Sequence, residues 1–193
     1  MTKTLLIPDP AGTTDGHWQS WWARIERDAE VLDWSAASDP EQYDRAALVA
    51  ARIAAQPGLV LVAHGAGCMI VARALANLAI PGVAAALLVA PARRLHADRF
   101  SRLASKEQDE LPVPTTVVGS RSDPWIDLEQ ARSLASDWGG QFVDLGDAGH
   151  IDQASGFGPW PGGIGLRDNL IVRASRYVTS SEAREVPAQR WAF

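Results

Sequence analysis

Short, mostly apolar runs alternate along this chain with longer segments in which apolar positions recur at helical spacing. The runs predict buried strands, and the longer segments predict amphipathic helices. Predicted strands cover residues 4–8, 30–34, 59–63, 83–90, 115–119 and 141–145. Predicted helices cover residues 18–28, 39–56, 68–78, 93–107, 127–138 and 166–177. We expect the second helix to begin with Asp39 as its N-cap and Pro40 in its first turn.

This alternation predicts the α/β class, as a single-domain three-layer sandwich of about six mostly parallel strands with helices on both faces. The sequence Leu59-Val60-Leu61-Val62-Ala63 is apolar throughout, as is typical of a central strand covered on both sides. We assign residues 1–179 to the domain and residues 180–193 to a C-terminal tail. Ligands of such sheets bind beyond the carboxyl ends of the strands. The loops expected to carry chemistry are therefore residues 9–17, 63–67, 120–125 and 147–161.

Composition narrows the function classes. A chain of 193 residues with 47% hydrophobic and 21% charged residues has the balance of one globular domain. Its net charge of −5, without a basic cluster, argues against nucleic-acid binding. No apolar run approaches the roughly 20 residues of a membrane span. The single cysteine, Cys68, allows no internal disulfide and fits a reducing compartment, so we expect a cytoplasmic protein.

A glycine-rich turn lies between a predicted buried strand and the helix that follows it. The segment Ala63-His64-Gly65-Ala66-Gly67 has the small-x-x-x-small frame of a nucleophile elbow, in which a tight turn lifts the middle residue above the sheet. That middle residue is normally Ser, Cys or Asp, and here it is Gly65. Taken alone, the segment favours a glycine-rich turn that has no chemical role.

Two later loops favour a functional site. Asp123 follows a late strand and His150 follows the last one. The chain order of elbow, acid and histidine is that of α/β-hydrolases, in which the acid orients the imidazole. Each feature alone is more typical of an ordinary turn or loop residue, but all three in this order at one sheet edge favour a site.

At these residues the chain resembles a known family, the YdeN-like and retinoblastoma-binding-protein-nine-like serine hydrolases of the α/β-hydrolase superfamily. The resemblance extends from residue 5 to about residue 177 and implies a minimal hydrolase fold without a lid domain. It also implies that Asp123 and His150 match the family's acid and base, and that Gly65 matches its nucleophilic serine. Four segments carry the resemblance: Gly16-His17-Trp18-Gln19-Ser20, Leu61-Val62-Ala63-His64, Ser122-Asp123-Pro124 and Gly149-His150-Ile151-Asp152-Gln153-Ala154-Ser155-Gly156-Phe157-Gly158-Pro159-Trp160-Pro161.

The chain departs from that family at two places. Gly65 has no side chain and cannot form an acyl-enzyme. The family usually reads Pro-Gly-Leu-Gly-Gly after the first strand, where this chain reads Pro8-Asp9-Pro10-Ala11-Gly12. The resemblance places one oxyanion-hole donor in this loop and the other at the N–H of Ala66. If Pro10 occupies the donor position, it has no N–H to offer, and the loss of one such donor commonly costs about 10²–10³ in rate.

Three hypotheses follow for the function. The first is an enzyme in which a His150–Asp123 acid–base dyad acts on a small, largely apolar molecule, by hydrolase-like or by lyase, isomerase or cyclase chemistry. The second is an inactive binding or regulatory protein that keeps the fold. The third is an ordinary serine esterase inactivated by a Ser-to-Gly substitution at residue 65. Two coincident changes, at Gly65 and in the Asp9-Pro10 loop, favour a natural loss of acyl-transfer chemistry over an engineered one.

Further residues complete the predicted site. We expect a pocket formed by Asp9, His64, Trp18, Trp125 and Trp160, although each tryptophan could equally pack a loop onto the sheet. Scattered histidines without paired ligand spacing predict no metal site, and we expect no cofactor. The expected partner is a small-molecule substrate or ligand, with a homodimer left open. Other nucleophiles are disfavoured, namely Cys68, which should be buried and inert, and Ser20, Ser120, Ser122 and Ser155.

Overall fold

The computed structural model describes residues 2–35, 44–76, 82–92 and 110–182, with side chains as far as residue 176. Within these residues six parallel strands form one sheet in the order β2-β1-β3-β4-β5-β6. The strands are β1 (Thr4–Ile7), β2 (Ala29–Val31), β3 (Leu59–His64), β4 (Val83–Val89), β5 (Thr115–Gly119) and β6 (Gln141–Asp144). The predicted α/β class with a parallel sheet is confirmed. Strand β2 lies on one side of β1, and β3 lies on the other side, where Leu5 pairs with Leu61. The order in which successive strands are added to the sheet therefore reverses after β2.

The described residues include five α-helices: α1 (Trp18–Ile25), α2 (Arg45–Ala55), α3 (Ala66–Ala76), α4 (Leu128–Asp137) and α5 (Pro161–Glu182). Helices α1 to α4 lie between strands, and α5 follows β6. A short 3₁₀ helix, Gln153–Ser155, lies in the loop before α5. None of the described helices has both the length and the apolar character needed to cross a bilayer. The helix expected at residues 93–107 lies outside the described residues.

The helices cover both faces of the sheet because alternate strand residues point to opposite sides. On one face Leu5, Ile7 and Leu61 pack against α2, α3 and α4. On the other face Leu6 and Val62 pack against α1 and α5. Arg167 of α5, which is buried, ties this second layer to the end of α1 through Glu26, with 3.0 Å between Nη2 and Oε1. The result is the expected three-layer sandwich.

Two helices start five or more residues away from the predicted position. Helix α2 begins at Arg45, because Asp44 has extended backbone and its side chain accepts a hydrogen bond from the N–H of Ala46. The predicted start at Asp39 and Pro40 lies outside the described residues, but a continuous helix from 39 to 56 is ruled out by the conformation of Asp44. Helix α5 starts at Pro161, five residues before the predicted start at residue 166. Three glycines in its first turns had lowered the apparent helix propensity there.

Candidate active site at the carboxyl edge of the sheet

An imidazole and a carboxylate meet beyond the ends of the last two strands. Nδ1 of His150 lies 3.1 Å from Oδ1 and 3.0 Å from Oδ2 of Asp123. The Asp123 side chain is fully buried, and that of His150 is 10% exposed. A carboxylate that accepts from Nδ1–H fixes the imidazole tautomer with Nε2 unprotonated and able to accept a proton. The structure thus places these two predicted site residues in contact.

Serine hydroxyls join the two loops that carry these residues. Oγ of Ser120 accepts from the N–H of Ala148 at 2.9 Å, and Oγ of Ser122 accepts from the N–H of Gly149 at 2.9 Å. Oγ of Ser155 accepts from the N–H of His150 itself at 3.1 Å and donates to Asp152. These three serines therefore position the dyad, and their hydroxyls are engaged in the protein. Sequence reasoning had considered them only as nucleophiles.

The strand-to-helix turn at Gly65 has the geometry of an elbow. Gly65 has φ of +57°, donates its N–H to the carbonyl of Val89 at 3.1 Å, and joins β3 directly to α3. The close approach of α3 to β1 depends on Gly67, where an added Cβ would lie 2.8 Å from the carbonyl oxygen of Pro8. The chain thus keeps the backbone that normally presents a nucleophile, with no side chain on it.

The Asp9 carboxylate occupies the space above that turn. A Cβ added to Gly65 would lie 2.5 Å from Oδ2 of Asp9. Oδ2 accepts from the N–H of Ala66 at 2.9 Å, and Oδ1 accepts from the N–H of Ala11 at 2.8 Å. Pro10, which has no N–H, lies at the second position of a turn closed by a 2.8 Å bond from the N–H of Gly12 to the carbonyl of Asp9. The donor predicted at Ala66 is present, and a carboxylate of the protein already accepts from it.

A row of three histidine rings lies beneath the site. The rings of His17 and His64 are 4.8 Å apart, and those of His64 and His150 are also 4.8 Å apart. Burial, followed by the neighbouring His17, lowers the pKa of His64 to about 3. Its neutral ring donates Nε2–H to the carbonyl of His150 at 2.9 Å and so holds the loop of that residue.

His17 is a site residue whose role the sequence did not reveal. Burial lowers its pKa to about 4, and its Nδ1 accepts from the N–H of Gln19 to cap α1. The ring proton therefore lies on Nε2, which is buried and has no hydrogen-bond partner among the described residues. The sequence signal for this role was only the Gly16-His17-Trp18 segment, which gives no tautomer or burial.

A cavity of about 640 Å³ opens at this edge of the sheet. Of the predicted pocket residues, Asp9, His64 and Trp125 line it together with His150. Trp18 and Trp160, by contrast, are 0% and 7% exposed and lie in the core cluster between α1 and α5, with ring centroids 5.2 Å apart. For these two tryptophans the structure supports the packing interpretation. The cavity is also lined by Ala11, Gly12, Thr13, Thr14, His17, Ala92, Asp152, Gln153 and Ala154.

Other groups near the site are held in the protein. Burial raises the pKa of the Cys68 thiol well above its usual value, and its Sγ donates to the carbonyl of Val89. Ser20 donates to the carbonyl of Thr14 at 3.0 Å. Within the described residues, no group of three His, Cys, Asp or Glu side chains is arranged to hold a metal ion.

Comparison with known proteins identifies the family of the chain. Residues 4–168 match the family model described as serine hydrolase. The chain belongs to this serine hydrolase family. A YdeN-like hydrolase from Pectobacterium atrosepticum is 26% identical, with 89% of this chain and 91% of that chain covered and a TM-score of 0.73. The ydeN gene product of B. subtilis is 18% identical, with coverage of 89% and 100% and a TM-score of 0.69.

More distant members of the fold include an N-formylmaleamic acid deformylase from Pseudomonas putida, at 16% identity. The match covers 84% of this chain and 90% of the deformylase chain, with a TM-score of 0.59. No curated protein matches the chain. The serine hydrolase family and the α/β-hydrolase fold are therefore confirmed. In this family member, residue 65 is a glycine and the neighbouring space contains the Asp9 carboxylate.

Proposed function

We propose that this protein is an enzyme that uses His150 as general acid and base, oriented by Asp123, and works without a serine nucleophile. The observation that supports this most directly is the His150–Asp123 contact at 3.0 Å beside the cavity. Because Nδ1 is engaged by the carboxylate, the remaining nitrogen is available to a molecule in the cavity. Such a dyad is worth about 10²–10⁴ in rate when it moves a proton in the transition state.

The substrate that we propose is a small, largely apolar molecule. The cavity volume of about 640 Å³ is within the range of small-ligand sites. Trp125, Ala92 and Ala154 form an apolar part of its wall, beside the polar side chains of Asp9 and His150. The reaction is hydrolase-like or a non-hydrolytic proton transfer. The position of Asp9 argues against an inactivated esterase, because the space for a serine side chain at residue 65 is already filled by a carboxylate.

The experiment compares the wild type with His150→Ala and Asp123→Asn on short p-nitrophenyl esters and on substrates that can cyclise or eliminate. We expect at least one substrate to lose about 10²-fold or more in kcat in both variants. Exposed Asp15, in the same chain segment as Asp9 but outside the cavity lining, provides Asp15→Asn as a matched control with wild-type rates. Equal rates for the wild type and His150→Ala on every substrate would contradict the proposal.

A binding protein is the outcome if ligands stabilise the fold without reacting. Thermal unfolding with the same compounds, followed by chemical analysis of the recovered ligand, separates the two functions. Recovery of unchanged ligand from a stabilised complex, for all compounds, would replace the enzyme by a binding protein.

A further inference from the structure

The carboxylate of Asp9 lies over the turn at Gly65, and the His150–Asp123 dyad does not explain why it is there. In an elbow, the middle residue directs its nucleophilic atom from Cβ into the cavity. Here Oδ2 of Asp9 lies 2.5 Å from the point where the Cβ of residue 65 would stand. Asp9 is half-buried and lines the same cavity as His150. A carboxylate from the first loop thus fills the region that a nucleophile at residue 65 would use.

The hydrogen bonds of Asp9 determine which chemistry it can support. One oxygen accepts from the N–H of Ala66 at 2.9 Å, and the other accepts from the N–H of Ala11 at 2.8 Å. Pro10 adds no donor. A substrate carbonyl attacked at this point would find the Ala66 N–H already engaged, so its developing oxyanion would lack that stabilisation. The arrangement is therefore unfavourable for attack on an ester or amide carbonyl.

The same arrangement favours attack on a saturated carbon. No oxyanion forms on the substrate in such a displacement, so no free donor is needed in that step. The carboxylate orientation is fixed by two backbone N–H groups, and a pre-positioned nucleophile lowers the entropic part of the barrier. The donors become useful afterwards, because whichever oxygen does not attack stays bound to an N–H as the ester carbonyl.

We propose that Asp9 is the catalytic nucleophile of this protein and that its substrates are small alkyl electrophiles, such as alkyl halides. This inference rests on the proposed acid–base role of His150 and adds the nucleophile and the substrate class. In the first step a carboxylate oxygen of Asp9 forms a bond to the saturated carbon, the carbon–halogen bond breaks, and halide leaves with the bonding electron pair. The product is an alkyl ester of Asp9.

The second step regenerates the carboxylate. His150 takes a proton from water as the water oxygen attacks Cγ of Asp9, and the oxyanion forms on the oxygen that a backbone N–H already binds. The ester C–O bond then breaks, and the leaving alcohol takes the proton from His150. Asp9 is left as the carboxylic acid, and it returns to the carboxylate by releasing the second proton of the attacking water to solvent, which balances the halide. The sum is alkyl halide plus water to alcohol plus hydrogen halide, with one water oxygen left in the Asp9 carboxylate.

The experiment uses 1-bromobutane with the full chain as wild type, Asp9→Asn, His150→Ala and the Asp15→Asn control. We expect His150→Ala to release one bromide per protein and to accumulate a butyl ester that mass spectrometry of peptides locates on Asp9. In ¹⁸O-labelled water, the wild type should turn over and incorporate ¹⁸O into Asp9. Asp9→Asn should release bromide only at the rate without enzyme, while Asp15→Asn behaves as the wild type. Circular dichroism checks that each variant is folded.

Two results would overturn this inference: bromide release by folded Asp9→Asn at the wild-type rate, or no ester on Asp9 in His150→Ala. Neither result removes the proposed function if a substrate of the broader panel still depends on His150. If instead His150→Ala and the wild type do not differ on any substrate, the proposed function fails first. The two failures are therefore distinguishable.

Discussion

At the scale of single residues, the glycine at position 65 and the aspartate at position 9 form one structural feature. Gly65 keeps a positive φ of +57° and leaves open the space above the turn, and Oδ2 of Asp9 fills that space. The Ala66 N–H that would serve an oxyanion binds the same carboxylate. A serine nucleophile at residue 65 would therefore require a change at both positions.

This pairing predicts the outcome of Gly65→Ser. The single variant should not react with a fluorophosphonate, because the new Cβ would meet Oδ2 of Asp9 at 2.5 Å and the Ala66 N–H stays engaged. The double variant Gly65→Ser/Asp9→Gly frees both the space and the donor, and the label should attach to the serine introduced at position 65. Asp9→Gly alone is the control. Labelling of the single variant as fast as the double would show that Asp9 does not obstruct the position.

At the scale of secondary-structure elements, the close approach of helix α3 to strand β1 positions the groups of the site. Helix α3 starts directly after Gly65, and it packs so near to β1 that Gly67 faces the carbonyl oxygens of Ile7 and Pro8. Asp9 follows Pro8, so the same contact holds the carboxylate over the turn. The distance between this strand and this helix thus decides whether Asp9 can reach the Ala66 N–H.

A side chain at residue 67 should therefore disturb both stability and the site. Gly67→Ala places a Cβ 2.8 Å from the carbonyl oxygen of Pro8, which is backbone and cannot move without shifting β1. Overpacking of this kind costs about 1–3 kcal/mol in the free energy of unfolding, measured by denaturant titration. Gly165→Ala on α5 is the matched control, since its Cβ meets nothing within 4 Å and should stabilise the helix by up to about 1 kcal/mol. Equal effects of the two substitutions would contradict the packing argument.

The elements themselves were largely predictable, for identifiable reasons. Residues 59–63 of strand β3 are all apolar and buried, so their sequence alone indicated a central parallel strand. The start of α5 was not predictable in the same way, because Pro161 favours a first turn while Gly162, Gly163 and Gly165 disfavour a helix. Tertiary packing decides such cases, and Ile164 and Leu166 pack against the core cluster beside α1.

At the scale of the whole molecule, the site brings together parts of the chain that are far apart in sequence. The chain order of residues 65, 123 and 150 predicted their proximity, because all follow parallel strands of one sheet. The contact between Asp9 and the turn at Gly65 could not be read from the sequence, since it depends on the side-chain direction in the first loop. Nor could the burial of His17, whose ring packs against that of His64 at the end of β3, with 4.8 Å between the ring centroids.

The histidine row makes stability depend on pH across the whole fold. Burial lowers the pKa of His64 to about 3 and that of His17 to about 4, below the value of 6.5 for the unfolded chain. At pH values below 6.5, the unfolded chain therefore binds protons that the folded state does not bind, and stability is lost as the pH falls. By linkage, each histidine should cost about 2 kcal/mol between pH 7 and pH 5.

Denaturant titrations at pH 7 and pH 5 test this on the wild type and on His64→Gln, whose amide can still donate towards the carbonyl of His150. The free energy of unfolding of the variant should fall by about 2 kcal/mol less than that of the wild type over that pH interval. The reason is that the variant lacks one of the two histidines that bind a proton only in the unfolded chain. In both proteins, His17 should still cause its own loss of stability between pH 7 and pH 5. An identical pH dependence in the two proteins would mean that His64 does not stay neutral in the folded state. The description of neutral histidine rings beneath His150 would then be wrong.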